Sequence, residues 1–459
     1  MKGNTIAAIA TAMTNSGIGI IRISGEDSLE IIDQIYRSKN GKKHLSQMPS
    51  HTIHYGYIYD QDKMIDEVMV LIMRGPNSYT AEDTVEIDCH GGALVMKRIL
   101  ETVIKYGARP AAPGEFTKRA FLNGRIDLSQ AESVIDIINA KNDFALASSI
   151  NQLKGSLKEE ICLMRAEIIH EVAFIESALD DPEHISLEGY EERLKGKVKE
   201  IIIRIEELLL SSENGTLLKE GINTVIIGKP NAGKSSLLNV LVGKERAIVT
   251  EIPGTTRDIL EEQVNLNGII LNVIDTAGIR ETENKIEKIG VDKAKEYILN
   301  ADLVIYVIDS SIELDQNDEN IFELLKGRKV IILLNKSDLI QKTSEQQLKN
   351  ILLNYPIISI STKDKTGITQ IADTIQELFF TGKITWNDEV FITNVRQKSS
   401  LKSAKDSLSM LLDSIDNQMP EDFYSIDLMG AYEELGNITG ETVGEDLMDE
   451  IFSSFCMGK

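Results

Sequence analysis

The stretch Gly228-Lys229-Pro230-Asn231-Ala232-Gly233-Lys234-Ser235 directly follows the apolar run Thr224-Val225-Ile226-Ile227. It fits G-x-x-x-x-G-K-S set between a strand and a helix, and few patterns restrict a fold so tightly. The glycines let the loop curl until backbone N–H groups converge on phosphate oxygens. Lys234 is placed to reach the β- and γ-phosphates, and Ser235 to offer its hydroxyl to Mg²⁺. Such a loop calls for a buried sheet behind it and a nucleoside triphosphate in front. It lies in the middle of a 459-residue chain, so long segments on either side need their own account.

Residues 219–380 alternate nearly continuous apolar runs with amphipathic stretches. Strands are expected at 224–227, 269–274, 303–308, 330–334 and 357–360. This pattern predicts an inserted P-loop domain with a mostly parallel sheet and helices on both faces. Ligands of such sheets bind beyond the C-terminal strand ends, and each further motif falls there. Asp275-Thr276-Ala277-Gly278 can hold Mg²⁺ through water and present a Gly N–H to a γ-phosphate. In Asn335-Lys336-Ser337-Asp338, the Asp338 carboxylate only accepts hydrogen bonds. Guanine offers it two adjacent donors and adenine does not, so this site selects GTP. Ser361-Thr362-Lys363 would cap the same base. Thr250-Glu251-Ile252-Pro253-Gly254-Thr255-Thr256 reads as a switch loop, with Thr256 reaching Mg²⁺ only while the γ-phosphate is present. The nucleotide set thus runs from Asn231, Ala232, Gly233, Lys234, Ser235 and Ser236 to Lys363.

Ile279 stands near where many GTPases orient water with Gln, and an aliphatic side chain cannot do so. Another device is needed. Asn231 could supply an oxygen to a monovalent cation, and Glu287 could orient the water; the alternative for Glu287 is a solvated charge at a helix start.

The length predicts two to four domains. Residues 1–118 show short β-type runs punctuated by Gly and Pro, with one helical stretch near 92–106, and read as an α+β domain. Asp127-Leu128-Ser129-Gln130 predicts a helix start with Gln at the third position. Helical spacing continues to about 180, resumes at 191–210, and returns at 394–418, 421–436 and 441–454. Residues 119–218 and 381–459 therefore read as two parts of one helical domain interrupted by the nucleotide-binding insert. The fold class expected is multidomain α/β and α.

Composition excludes some classes. A net charge of -23 makes the chain a poor coat for nucleic acid, though a local basic patch could still hold RNA. Cys89, Cys162 and Cys456 form no C-x-x-C pair and no disulfide framework, which favours a reducing, cytoplasmic setting. Cys89 and Cys162 are expected to be buried small apolar side chains. The apolar run at 6–12 is expected to fold rather than act as a leader. No stretch is long enough to span a bilayer.

Motifs outside the nucleotide set complete the picture: Gly19-Ile20-Ile21-Arg22-Ile23-Ser24-Gly25, Ser78-Tyr79-Thr80-Ala81-Glu82-Asp83, His90-Gly91-Gly92, Pro113-Gly114-Glu115-Phe116-Thr117-Lys118-Arg119-Ala120-Phe121, and the terminal Phe455-Cys456-Met457-Gly458-Lys459. With them the chain resembles the MnmE (TrmE) family of tRNA-modification GTPases over its whole length. The resemblance implies an N-terminal folate-binding domain that dimerises, a central helical domain and an inserted G domain. It implies a homodimer working with an FAD-dependent partner, MnmG, as a heterotetramer on tRNA. The implied reaction places an aminomethyl or carboxymethylaminomethyl group on C5 of wobble uridine 34. A tetrahydrofolate derivative, 5,10-methylene- or 5-formyl-tetrahydrofolate, would carry the one-carbon unit.

The same resemblance implies K⁺ ligands at Asn231, Thr250, Ile252 and Thr255, Mg²⁺ ligands at Ser235 and Thr256, and Glu287 as the water-positioning residue. K⁺ would supply the charge an arginine finger gives elsewhere, and G-domain dimerisation would activate hydrolysis. It implies folate contacts at Arg22, Glu86, Arg125 and Lys459, and a reactive thiol at Cys456. Arg125 stands where some members carry lysine, which keeps charge but not geometry; Met457 replaces a common Ile. Two other readings are an RNA-binding or ribosome-assembly GTPase without modifying activity, and a folate-dependent aminomethyltransferase with a regulatory G domain. The acidic flanks argue against the first.

Overall fold

Period-two alternation governs the N-terminal residues. The computed structural model describes residues 5–39, 41, 43–181, 183, 184, 188–243, 261–274, 297–379, 392–453, 455 and 458. The chain divides into two compact units. One comprises Met1–Ile138, Gln152–Leu194 and Asp406–Lys459, and the other Asn139–Asn151 and Lys195–Lys405.

The first unit contains β1 (Ile6–Ile9), β2 (Ser16–Ser24), β3 (Tyr36–Ser38), β4 (Thr52–Asp60), β5 (Lys63–Met73), β6 (Thr84–Gly91) and β7 (Arg109–Pro110). They form one sheet in the order β3-β4-β5-β6-β2-β1-β7. Pairing is antiparallel except between β1 and β7. The inward face carries Ile21, Ile23, Val70, Ile72, Val85 and Ile87, packed with Ile32 and Ile35 of one helix and Met96, Ile99 and Val103 of another. The opposite face therefore receives Arg22, Glu86 and Asp88, because successive side chains point to opposite sides. The apolar run at the start is β1, with Ile6, Ala7 and Ala8 buried.

The expectation of one helix among residues 1–118 is corrected. Ser28–Ile35 and Glu115–Leu122 are helical as well as Ala93–Lys105. Both extra helices are only eight residues long, too short for periodicity to separate them from buried strands.

Asp127 starts the helix Leu128–Asn139 as a reciprocal cap. Its carboxylate accepts from the Gln130 N–H at 3.0 Å, and the Gln130 amide oxygen accepts from the Asp127 N–H at 3.0 Å. Helix Ser156–Asp180 packs on Glu421–Thr439. There Arg165 lies 4.0 Å from the Tyr432 ring centroid, and its guanidinium fills the space a Cβ on Gly436 would need. Helix Glu445–Ser453 packs on Glu115–Leu122 through Ala120, Met448, Phe452 and Phe455. Cys89 is buried as expected, but Cys162 is exposed. It shares the outward side of its helix with Leu163, which is 55% exposed. Helical spacing marks a face, and here it does not tell which of two adjacent residues turns outward.

The second unit holds β8 (Ile222–Ile227), β9 (Glu261–Leu266), β10 (Ile269–Ile274), β11 (Leu303–Asp309), β12 (Val330–Asn335) and β13 (Ile357–Ser359). Their order is β13-β12-β11-β8-β10-β9, parallel throughout except for the edge hairpin β9–β10. Apolar residues cover both faces. Ile226, Leu237, Leu241, Ile305, Leu333 and Ile371 form one core; Val225, Tyr306, Ile332, Leu334, Phe322 and Leu348 form the other. This two-sided burial explains the near-continuous apolar runs. Phe144 packs against the first core, while Leu146 and Ile150 of its helix are each 37% exposed, so that helix offers only part of its apolar side. No described helix is long and apolar enough to cross a membrane.

Candidate functional site

The phosphate loop leaves β8 at Gly228 and enters the helix Lys234–Val242. Gly228 has φ +151, and a Cβ there would lie 2.3 Å from the Val307 carbonyl oxygen. Gly233 has φ +101, and a Cβ would lie 2.1 Å from the Asn335 side-chain nitrogen. Both positions require glycine on two counts, backbone conformation and space. Asn231 also takes positive φ, at 62, and is exposed. Ala232 is buried, whereas Ser235 and Ser236 are exposed at the first helical turn. The helix N-terminus and the curled loop make an anion-binding cradle.

Lys234 Nζ donates to the carbonyls of Gly228 at 2.7 Å and Lys229 at 2.9 Å. Burial pushes its ammonium below the ordinary lysine value. The cation is thus held over the loop by backbone carbonyls.

β12 ends on Asn335, which is fully buried. Its amide nitrogen donates to the Ala232 carbonyl at 2.8 Å, and its amide oxygen accepts from the Thr362 N–H at 3.2 Å. One side chain therefore ties the phosphate loop to the segment after β13. Ser361 Oγ donates to Asp338 Oδ1 at 2.8 Å, which orients the exposed carboxylate. Lys363 is exposed beside it. Lys336, at φ 63, places its ammonium 2.5 Å from Asp309 Oδ2. Burial alone would raise the Asp309 pKa, but Lys336 and Ser311 outweigh it and hold the carboxyl below its usual range.

A second cluster lies in the other unit, on the face of the first sheet opposite its helix-packed core. Arg22 on β2 pairs in register with Glu86 on β6, and Arg22 Nε donates to Glu86 Oε1 at 2.7 Å. Arg22 Nη1 donates to the Gly458 carbonyl at 3.1 Å. Gly458 fits because a Cβ there would meet Ala10 and the Ile9 carbonyl at 2.6 Å. The Arg22 guanidinium lies 5.5 Å from the Tyr79 ring, and Arg125 lies 4.9 Å from the same ring. Of the four residues expected from the resemblance to contact folate, Arg22 and Arg125 therefore meet at Tyr79, and Glu86 joins them through Arg22. Lys459, Cys456 and Met457 lie outside the described residues, as do Thr250, Glu251, Ile252, Pro253, Gly254, Thr255, Thr256, Asp275, Thr276, Ala277, Gly278 and Glu287.

A family model described as GTP-binding protein TrmE N-terminus matches residues 5–125, and one described as MnmE helical domain matches residues 128–456. The chain belongs to the MnmE family. A relative from Lachnoclostridium phytofermentans named tRNA modification GTPase MnmE is 59% identical over 459 residues, covering all of both chains. Proteins of the same name from Alkaliphilus metalliredigens and Acetivibrio thermocellus are 48% and 50% identical, over 99% and 100% of both chains. Membership agrees with the multidomain architecture of an α+β part, a helical part and a mostly parallel sheet with helices on both faces.

Some residues of these sites escaped the sequence reading. Tyr79 was visible only as part of a motif. Asp309, Asp315 and Asp318, which hold lysines of the nucleotide loops, belong to none of the sequence motifs. The available signal was the Asp309 that ends an apolar strand and the Asp315-x-x-Asp318 spacing of a helix cap.

Proposed function

We propose that this chain is a GTP-hydrolysing enzyme that acts with an MnmG-type flavoprotein to modify C5 of the wobble uridine in tRNA. One observation carries the reading beyond GTP binding. The chain end returns to β2, where Gly458 accepts from Arg22 beside Glu86 and Tyr79. A generic GTPase has no use for that cluster, and a reduced folate does: its carboxylates and heteroaromatic ring suit arginine and an aromatic face. Arg22, Glu86, Arg125 and Lys459 would hold the folate, which supplies the one-carbon unit when bound.

In the nucleotide site Asp338, steered by Ser361, would accept from the guanine edge. The set Asn231 to Ser236, Thr250 to Thr256, Asp275 to Gly278, Asn335, Lys336 and Ser361 to Lys363 would contact the rest of GTP. Ser235 and Thr256 would hold Mg²⁺, and Asn231, Thr250, Ile252 and Thr255 would hold K⁺; both ions supply positive charge to the phosphates. The exposed, left-handed Asn231 suits that role because its side chain is free of the loop's own packing. Glu287 would position the attacking water. The domain plan we propose is 1–118, 119–218 with 381–459, and an inserted 219–380, acting as a cytoplasmic homodimer.

The test is deletion of the gene followed by mass spectrometry of tRNA nucleosides. Loss of the C5-modified wobble uridine is expected, and an unchanged nucleoside profile would remove the reading. Hydrolysis is expected to be faster in K⁺ than in Na⁺ at equal ionic strength. Removing Gly458-Lys459 is expected to weaken binding of 5-formyl-tetrahydrofolate.

A further inference from the structure

Between the two nucleotide loops runs a segment that neither motif includes. β11 lies between β12 and β8 in the sheet, so its end at Asp309 sits between the base loop and the phosphate loop. Asp309 holds Lys336 of the base loop at 2.5 Å. Nine residues on, Asp318 holds Lys229 of the phosphate loop at 2.5 Å, and Asp315 holds the same ammonium at 2.8 Å. Asp318 is 2% exposed and fully engaged. Its Oδ1 accepts from the Tyr306 hydroxyl at 2.5 Å, and its Oδ2 also accepts from the Asp315 N–H at 2.9 Å. A buried carboxylate with this many donors is a fixed point rather than a mobile charge. Lys229 in turn leads back to the phosphate site, because its carbonyl accepts from Lys234 Nζ.

We propose that Asp309–Asp318 is a brace for GTP binding, with Asp318 a positioning residue that acts on the phosphate loop through Lys229. The brace sets the separation between the loop that holds phosphates and the loop that reads the base. It touches no nucleotide atom itself. The proposal rests on the GTP-binding assignment of the loop and adds a residue that the sequence motifs leave out.

A double-mutant cycle on the full chain tests it, with mant-GTP affinity read by fluorescence. Asp318→Asn and Lys229→Met are each expected to raise Kd about five- to tenfold. The double variant is expected to be no worse than the weaker-binding single one, because both remove one link. Lys229→Arg is expected to restore most of the affinity. Tyr306→Phe, which keeps the ring and removes only the hydroxyl, is expected to raise Kd in the same direction by about twofold, so the test survives if Asp318→Asn does not fold. Additive losses, or a lowered unfolding midpoint with unchanged Kd in these variants, would overturn the brace. Failure of the unsubstituted chain to bind mant-GTP would instead remove the GTP reading on which it rests.

Discussion

Asp88 stands on β6 between Ile20 of β2 and Met69 of β5, and one of its carboxylate oxygens is shut off from solvent with no hydrogen-bond partner. Burial first, and the Glu86 charge second, push its pKa above the ordinary value. A raised acid binds its proton more tightly in the folded state. Its contribution to stability is therefore best at low pH and is lost as pH rises through the raised value. Asp88→Asn should lift the unfolding midpoint at neutral pH by about 2–4 °C and give little gain below the ordinary carboxylate range. Calorimetry at both pH values checks this, and an equal gain at both would refute it. The cysteines differ for a similar reason. Burial, aided by Asp66, pushes the Cys89 thiol up to about 12, while Cys162 is open to solvent. At pH 8 a maleimide should label Cys162 within minutes and leave Cys89 untouched until the chain is unfolded, as peptide mass spectrometry would record.

At the scale of elements, the hairpin β9–β10 turns at Asn267-Gly268, with φ 51 and +88. A Cβ on Gly268 would lie 2.6 Å from the Phe144 ring, so the turn and the helix Asp143–Lys154 fit only as glycine against phenylalanine. Gly268→Ala should cost about 1–3 kcal/mol through overpacking and strain. In a Phe144→Ala background the steric part disappears, and urea unfolding should show a smaller cost; equal costs would deny the contact. In the phosphate loop Gly233→Ala meets Asn335 within bonding range. It should lower GTP affinity at least tenfold, measurable by equilibrium titration, because Asn335 also anchors Ala232 and Thr362. Elements with long apolar runs were legible: 269–274 matches β10, and 224–227, 303–308 and 330–334 fall inside β8, β11 and β12. The helices Ser28–Ile35 and Glu115–Leu122 were not, since eight residues give barely two turns of pattern.

For the whole molecule, the six-stranded sheet carries a core on each face, built almost entirely from residues 222–379. Phe144 and Leu217 are the exceptions among its packed neighbours. A fragment of residues 219–380 should therefore bind mant-GTP within about threefold of the full chain, yet unfold at a lower temperature because it lacks Phe144. A fragment that fails to bind would show that the nucleotide site depends on the rest of the chain. The first unit gathers segments far apart in sequence, with Gly114 and Ala120 meeting Phe452 and Phe455. Truncating the last residues should accordingly disturb the Arg22 cluster and leave GTP binding intact.

What the sequence by itself determined is local in origin. Glycines at positive φ, a Gly-Lys-Ser helix start, an Asp127–Gln130 cap and apolar runs ending in Asn335 or Asp309 each state their requirement within a few residues. The family followed from such motifs taken together. Only the tertiary structure decided which charges meet. Lys229 finds Asp318 across 89 residues, and Arg22 finds Gly458 across 436. No local pattern encodes those partners, because each meets its mate only once the chain has folded and brought distant carboxylates, cations and carbonyls together.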